Sequence, residues 1–279
     1  MFILEKSSSV ARQSLLAGLA ATALAAPALA ENMSPNSVTT LGQPIALEFS
    51  NIADLTHTLS ESTPYYHIDG VSFPFQLEPL TRLEEVGVYT TTWTMYDHHG
   101  TNINSPNHFI AGGAAADELD VRTFFAPLAI INIADRAEGD PDTALTVGDI
   151  LTWEAEHGRL PAGSAVFQRA DWDRFAGDLE QHLNRDADGV RRNPGFSAEA
   201  ARFLVEERDI VGIGTETVAV SWGPDREFQA HQIVLGAGLW ALENLTGLAS
   251  VPESGATLII GPPKVEDASG GMTRVLAVW

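Results

Sequence analysis

The chain contains no cysteine and is poor in positive charge. Among its 279 residues, 16 lysines and arginines face 37 aspartates and glutamates, which gives a formal net charge of −21. The absence of cysteine excludes disulfide bonds and thiolate chemistry. The acidic balance argues against binding to nucleic acid or to anionic lipid, because both repel a negative surface.

Long apolar runs are also scarce. The run Leu15–Leu29 is too short to span a bilayer comfortably. It follows the basic residues Lys6 and Arg12 and leads into an Ala-x-Ala sequence that ends at Ala30. This order predicts a signal peptide over residues 1–30, cleaved after Ala30, and a periplasmic or secreted protein without membrane contact after cleavage. A retained membrane anchor is the alternative.

The remaining chain alternates predicted strands with predicted helices, which indicates an α/β fold. Residues 31–50 are polar and predict a flexible mature N-terminus, followed by one domain over residues 51–279. Strands are predicted at residues 88–96, 125–133, 164–168, 210–214, 256–260 and 273–279, and residues 239–245 suit either a strand or a tight turn. Helices are predicted at residues 144–156 with Thr146 as N-cap, after Ser197, and at residues 227–235. The charged residues 173–192 predict a solvent-facing excursion.

One stretch concentrates chemically active side chains. Residues 97–109 read D-H-H-G-T-N-I-N-S-P-N-H-F, and they follow a β-branched and aromatic run that predicts a strand. We expect the stretch to lie where a buried strand ends in a loop. Asn102 and Asn104 alternate, so an extended backbone directs both side chains the same way. His98 and His108 are candidate metal ligands or proton shuttles, and the alternative is a polar loop whose histidines bond to backbone carbonyls.

This stretch resembles the signature of the metal-dependent cyclase family, which includes bacterial kynurenine formamidases and isatin hydrolases. The family pattern is H-x-G-T-H-x-D-x-P-x-H-F, and it matches here at His98, Gly100, Thr101, Pro106, His108 and Phe109. Asn102 stands where the family has its second histidine, and Asn104 stands where it has an aspartate. Both departures fall on metal-ligand positions of the family. The segment with His57 resembles the family's opening, and His57 suits either the site or a structural role.

The second half of the chain supplies two more matches. His231 is followed twelve residues later by Glu243 in a Glu-Asn-Leu sequence, as in the family. A carboxylate amid leucine, tryptophan and alanine must be paired or ligated. The resemblance extends from about Ile52 to the C-terminus. It implies a single α/β domain of the swivelling β/β/α cyclase type, with a mixed sheet or barrel core, and a homodimer or homotetramer.

The resemblance also implies a function. The metal ligands would be His98, Asn102, Asn104, His231 and Glu243, and the catalytic residues would be His108 and Glu243. Because asparagine is a neutral ligand, we expect one weakly bound divalent ion, manganese or zinc, and no organic cofactor. The expected reaction is hydrolysis of a small-molecule amide, lactam or ester by metal-activated water, with His108 as proton shuttle. The two asparagines argue against kynurenine formamidase activity itself.

Two alternatives remain open at this point. The changed motif is compatible with a metal-free cyclase fold that binds a small ligand. It is also compatible with catalysis in which His99 or Asp97 replaces a lost ligand, although adjacent residues point to opposite faces of a strand, so replacement requires a bulge. Tyr65, Phe73 and Trp172 are the aromatic residues expected to contact the substrate.

Overall fold

The computed structural model describes residues 48–279. The predicted signal peptide and residues 31–47 of the predicted flexible segment lie outside the described residues, so both stay predictions. Within residues 48–279, no helix is long and apolar enough to cross a membrane.

The described chain contains thirteen strands, six α-helices and five short 3₁₀ turns. The strands are β1 (Ile52–Asp54), β2 (Gln76–Thr81), β3 (Thr90–Thr94), β4 (Asn102–Asn104), β5 (Phe125–Asn132), β6 (Ala144–Leu145), β7 (Ala165–Arg169), β8 (Gly195–Phe196), β9 (Gly212–Thr215), β10 (Trp240–Glu243), β11 (Ala256–Gly261), β12 (Gly270–Met272) and β13 (Arg274–Val278). The helices are α1 (Leu83–Val86), α2 (Ala134–Gly139), α3 (Val147–His157), α4 (Leu179–Leu183), α5 (Ala198–Glu207) and α6 (Gln229–Gly236).

Nine strands form one mixed sheet in the order β1-β13-β11-β5-β7-β9-β10-β4-β12. The four central strands, β5, β7, β9 and β10, are parallel, and the strands on either side pair antiparallel. The sheet curls into a half-barrel. The predicted α/β fold with a mixed sheet is thereby confirmed.

Alternation along the central strands supplies a core on each face of the sheet. In β7, Val166 packs into the core on the helix side, whereas Phe167 packs into the core on the opposite face. In β10, Ala241 joins the helix side and Leu242 the opposite side. This period of two is the pattern expected of strands buried on both faces. The residues that face the helices in β10 and its neighbour β4 build the site described below.

Close packing between β9 and β10 depends on a glycine. Gly212 pairs with Trp240 across the two strands. A Cβ atom on Gly212 would lie 2.3 Å from the indole ring of Trp240. The indole therefore occupies space that only glycine leaves free, and this fixes the separation of the strands that carry the site.

The predicted helix starts are confirmed. Thr146 caps α3 and accepts a hydrogen bond from the amide of Asp149, whose carboxylate accepts one from the Thr146 amide in return. Ser197 caps α5 through the amide of Ala200. Both caps satisfy amides that have no partner within the helix.

Two expectations about burial are wrong. The strand predicted at residues 88–96 exists as β3, but it pairs only with β2 and four of its five residues are exposed. β-Branched residues therefore indicated a strand correctly but not a buried one. The segment 173–192 is not purely solvent-facing either, because His182, Leu183 and Arg191 are buried.

Candidate active site

The register between β4 and β10 brings the polar residues together. Asn102 lies opposite Glu243, and Asn104 lies opposite Ala241. Directly opposed residues share a face of the sheet, and this is the face covered by the helices, because Ala241 packs into the helix-side core. The alternate asparagines therefore point the same way, as expected.

Helix α6 faces these strands and contributes His231. The His231 Nε2 atom lies 2.8 Å from Oε1 of Glu243, and both side chains are almost fully buried. Burial by itself would raise the pKa of Glu243, but its contacts with His231, Asn104 and His98 outweigh burial and the net shift is downward. Since a carboxylate only accepts, Nε2 carries a proton, and Nδ1 lies 2.7 Å from the hydroxyl of Ser221.

Asn104 completes this group. Its side-chain amide donates to the carbonyl of Ala241 at 3.5 Å, and it helps to hold the pKa of Glu243 low. Glu243 accepts from the Val220 amide at 3.2 Å. The Asn104 Oδ1 atom is buried and has no hydrogen-bond partner. A buried polar atom without a partner is costly and calls for an explanation such as a bound ion.

The ring of His98 is held on both sides. Its Nε2 atom lies 2.8 Å from the hydroxyl oxygen of Ser269, which donates its own proton to Asp97 at 2.5 Å. Its Nδ1 atom lies 3.3 Å from Oδ1 of Asn102, whose amide group donates to the carbonyl of Gly100. Both nitrogens of His98 are therefore held by neighbouring polar groups, which fixes the orientation of its ring. Burial tends to raise the pKa of Asp97, but His98 and Ser269 make the net shift downward.

His108 stacks on His98 at the open side of the group. The two ring centroids are 3.8 Å apart with the planes at 31°. The residue as a whole is exposed to solvent. Burial of part of its ring lowers the pKa of His108, and the nearby His98 lowers it further. A neutral, accessible imidazole of this kind can accept a proton from a bound molecule.

The chain after Glu243 ties the two halves of the site together. The amide group of Asn244 donates to the carbonyl of Gly100, and the carbonyl of Asn244 accepts from the hydroxyl of Thr101. Asn244 itself has φ 54°, a left-handed conformation that asparagine tolerates better than most residues. Gly100 and Thr101, which match the family pattern, therefore also connect the motif to the chain that follows β10.

The predicted substrate contacts separate into two places. Tyr65 stacks on His99 with centroids 5.0 Å apart, and Phe73 packs edge-on against Tyr96 at 6.2 Å. This aromatic cluster borders the site, because Glu243 lies close enough to Tyr96 to add to the upward pKa shift that burial imposes on that phenol. Trp172 lies elsewhere, buried in the helix-side core with its indole donating to the carbonyl of His182.

The two proposed substitute ligands, His99 and Asp97, lie in other surroundings. His99 is buried in the aromatic cluster, with neither ring nitrogen hydrogen-bonded, and Asp97 is held by Ser269. His57 lies behind the motif, where its amide donates to Thr101. None of the three joins the group around Glu243.

Sequence reasoning missed several residues that hold the site. Ser221 and Ser269 orient the two histidines, and Phe109 and Phe228 enclose the ring of His231, with Phe109 stacked at 4.8 Å. The left-handed φ of Phe228, 54°, is unusual for an aromatic residue and is the kind of strain found at functional sites. No local pattern could reveal these contacts, although Phe109 belongs to the matched motif.

Comparison with known proteins identifies the arrangement. The profile of a family described as putative cyclase matches residues 53–221. The chain belongs to the cyclase family. Isatin hydrolase of Roseibium aggregatum is 35% identical over 190 residues, which make up 65% of this chain and 72% of that protein. A kynurenine formamidase of Bacillus cereus is 28% identical over 204 residues, 73% of this chain and 87% of that protein.

A solved structure agrees with this assignment. Isatin hydrolase A from Labrenzia aggregata, bound to benzyl benzoate, superimposes with a TM-score of 0.77 at 35% identity. The superposition covers 81% of this chain and 93% of that one. The family expected from the motif is therefore confirmed, and these cyclase-family relatives are hydrolases by name.

Within this cyclase fold, three side chains of the kinds that bind metals lie at one corner of the site. Across residues 48–279, no three histidine, cysteine, aspartate or glutamate side chains are placed to hold a metal. His98 has both nitrogens engaged, so the five-ligand set stays a prediction. The partnerless oxygen of Asn104, the carboxylate of Glu243 and the imidazole of His231 are oxygen and nitrogen donors of the types found at divalent-metal sites. An ion bound there would replace the proton between His231 and Glu243.

Proposed function

We propose that the protein hydrolyses an amide, lactam or ester of a small molecule. The observation that carries this proposal is the convergence of His108, with its lowered pKa, on the buried group of His231 and Glu243. Water adds to the carbonyl carbon, the bond to nitrogen or oxygen breaks, and the leaving atom takes a proton. His108 suits the role of the shuttle that moves that proton, because it is accessible and neutral near pH 7.

The residues behind His108 have supporting roles. Contacts with Ser269 and Asn102 fix the ring of His98, and His108 stacks against that ring. Glu243 holds the proton-bearing nitrogen of His231 and keeps that ring turned toward the site.

One divalent ion, manganese or zinc, completes the proposal. His231, Glu243 and Asn104 would hold it, and the ion would supply Lewis acidity and a lowered pKa for bound water. With only one anion among the three ligands, we expect weak binding. Hydrolysis of N-formylkynurenine-type substrates is not expected, since the two asparagines depart from the pattern of kynurenine formamidases.

The test is hydrolysis by the mature protein in the presence of manganese or zinc, followed by proton release. The substrates are an aryl lactam, an N-acetyl arylamine and an aryl ester, and an N-formyl arylamine is included as the substrate that is not expected to react. The His108→Asn variant should lose at least 100-fold in kcat, in line with the roughly 10²–10⁴-fold contribution of a general acid or base. The matched control is His157→Asn, because His157 binds Glu253 outside the site. Equal rates for His108→Asn and the wild type would refute the role of His108.

The alternative is a metal-free ligand-binding protein. It is favoured by the direct bond between His231 and Glu243, which satisfies both groups without an ion. Elemental mass spectrometry of protein purified without chelator distinguishes the metal-dependent hydrolase from the metal-free ligand-binding protein. About one equivalent of manganese or zinc supports the hydrolase, whereas a site that stays empty after dialysis against both ions supports the alternative.

We also propose that the chain is exported and forms a homodimer or homotetramer. Self-association is supported by the hairpin of β2 and β3, where Leu77, Leu80 and Trp93 are each about half or more exposed. Large apolar side chains clustered on a surface are typical of protein contacts. Light scattering of the wild type and of Trp93→Ser measures the mass in solution, and a monomeric wild type would refute the proposal.

A further inference from the structure

A buried arginine next to the site has no carboxylate partner. Arg191 is 4% exposed, and across residues 48–279 no aspartate or glutamate lies within ion-pair distance of its guanidinium. Its neighbour Arg192 pairs with both Asp142 and Asp186. In a chain with 37 acidic residues, an unpaired buried cation is unexpected, because burying a charge is costly unless it is compensated.

The contacts that Arg191 does make are with aromatic rings and an amide. Its guanidinium lies 5.3 Å from the ring centroid of Tyr66 and 5.2 Å from that of Phe228, and it donates to Oδ1 of Asn193 at 3.4 Å. These contacts hold the side chain in place, but they leave most of its five N–H donors without an anionic acceptor. A planar guanidinium matches a carboxylate in a two-point contact.

This arginine lines an open cavity of about 210 Å³ between Tyr66, the loop at residues 188–191 and Phe228. Ligand pockets usually measure roughly 300–1,000 Å³, so this cavity suits a single ring or one end of a larger molecule. Two carboxylates also line it, but at its rim. Asp188 is exposed, and Asp225 accepts backbone amides at the start of α6.

The cavity adjoins the proposed reaction site. Phe228 separates Arg191 from His231, with the phenyl and imidazole centroids 5.5 Å apart. The carbonyl of Tyr66 accepts from Tyr96 at 3.2 Å, and Tyr96 borders Glu243. Burial lowers the pKa of Arg191, and the nearby charge of Glu243 opposes that shift. Phe228 is therefore shared by the wall of this cavity and the surroundings of His231.

We infer that Arg191 binds a carboxylate of the substrate, so that the enzyme acts on aromatic or similar small molecules that already carry an acid group. This inference rests on the proposed function, since it names the substrate class of the same site. In a protein of net charge −21, an anionic substrate needs a local cation to bind, and Arg191 supplies it beside two aromatic faces.

The test is a binding measurement that does not depend on turnover. The probe is 2-aminobenzoate, a fluorescent aromatic carboxylate, and its neutral partner is methyl 2-aminobenzoate. Arg191→Gln should weaken 2-aminobenzoate about ten- to a hundredfold, as expected for a lost charge-assisted contact, and should change methyl ester binding less than threefold. Arg191→Lys, which keeps the charge without the planar fork, should give an intermediate affinity and serves if the glutamine variant does not fold.

Arg202→Gln is the matched control, because Arg202 is an exposed arginine on α5 paired with Glu206. It should bind both probes like the wild type. Equal loss of both probes in Arg191→Gln would mean that Arg191 only supports the cavity, and no loss of 2-aminobenzoate would also overturn the inference. Selective binding without hydrolysis of any substrate would preserve the inference and refute the proposed function. Hydrolysis that shows no preference for substrates with an acid group would support the proposed function and refute the inference.

Discussion

Replacing the amide of Asn104 with a carboxylate would place a second acid against Glu243. Asn104 is fully buried, its amide donates to the carbonyl of Ala241, and it helps to hold the pKa of Glu243 low. In Asn104→Asp the amide donor is lost and a second negative charge is buried without a partner. Breaking a buried charged contact in this way typically costs about 3–5 kcal/mol. At about 2–4 °C per kcal/mol for a domain of this size, the melting temperature in chelator should fall by roughly 10 °C.

Manganese should reverse much of this loss. The new carboxylate would give the corner two anions, so the ion should bind at least tenfold more tightly than in the wild type. Binding to the folded state stabilises it by about 2.7 kcal/mol when the free ion is at a hundred times its Kd. The assay is thermal unfolding of both proteins in chelator and in manganese, followed by circular dichroism.

Asn102→Asp is the matched control for this prediction. It makes the same change two residues away on β4, but there the side chain lies against His98, 3.3 Å from its Nδ1 atom. Residue 102 also lies opposite Glu243, but its new carboxylate can accept a hydrogen bond from His98, a partner that Asn104→Asp lacks, so the loss in chelator should be smaller. Asn104→Asp with wild-type stability in chelator would show that Asn104 does not face Glu243. Equal manganese stabilisation of Asn104→Asp and wild type would show that the corner is not a metal site.

Three further predictions test the surroundings of the site. Burial raises the pKa of Glu216 to about 8. Between about pH 4.5 and pH 8 the folded protein therefore holds a proton that the unfolded chain has released. The free energy of unfolding should fall by about 1.4 kcal/mol per pH unit from about pH 5 to pH 8. Glu216→Gln should remove this slope in urea unfolding, and parallel profiles would contradict the shift. Gly270→Ala would put a Cβ atom 2.8 Å from Cε1 of His98, so both stability, by about 1–3 kcal/mol, and hydrolysis should drop; an unchanged rate would contradict the packing. Thr146→Ala removes the cap of α3 and should cost about 1 kcal/mol in the same urea assay without changing hydrolysis.

Local signals in the sequence predicted the secondary structure well. Thr146 and Ser197 cap their helices through the amides of residues three positions later, so the pattern is visible in a short window. The buried strands were visible as apolar runs. The exposed position of β3 was not, because its threonines and tryptophan suit any strand and only the pairing with β2 reveals that it stands outside the main sheet.

The candidate site was partly visible. His98, His108, His231 and Glu243 carry the family pattern, and the structure brings them to one place. Their partners could not be predicted, because contacts between distant segments create them: Ser269 is 171 residues from His98 in the sequence. Arg191 gave no signal for the same reason. An arginine in a charged segment usually marks a solvated surface, and only the fold shows it buried and unpaired.

The most direct test of the account is a double-mutant cycle on the hydrolysis rate. Initial rates on one hydrolysable substrate are measured for the wild type, His108→Asn, Glu243→Gln and the double variant. If His108 and the His231–Glu243 pair act as one catalytic unit, the double variant should be no slower than the slower single variant, because residues that act together are not additive. Losses that multiply, or a single variant that keeps the wild-type rate, would contradict the account.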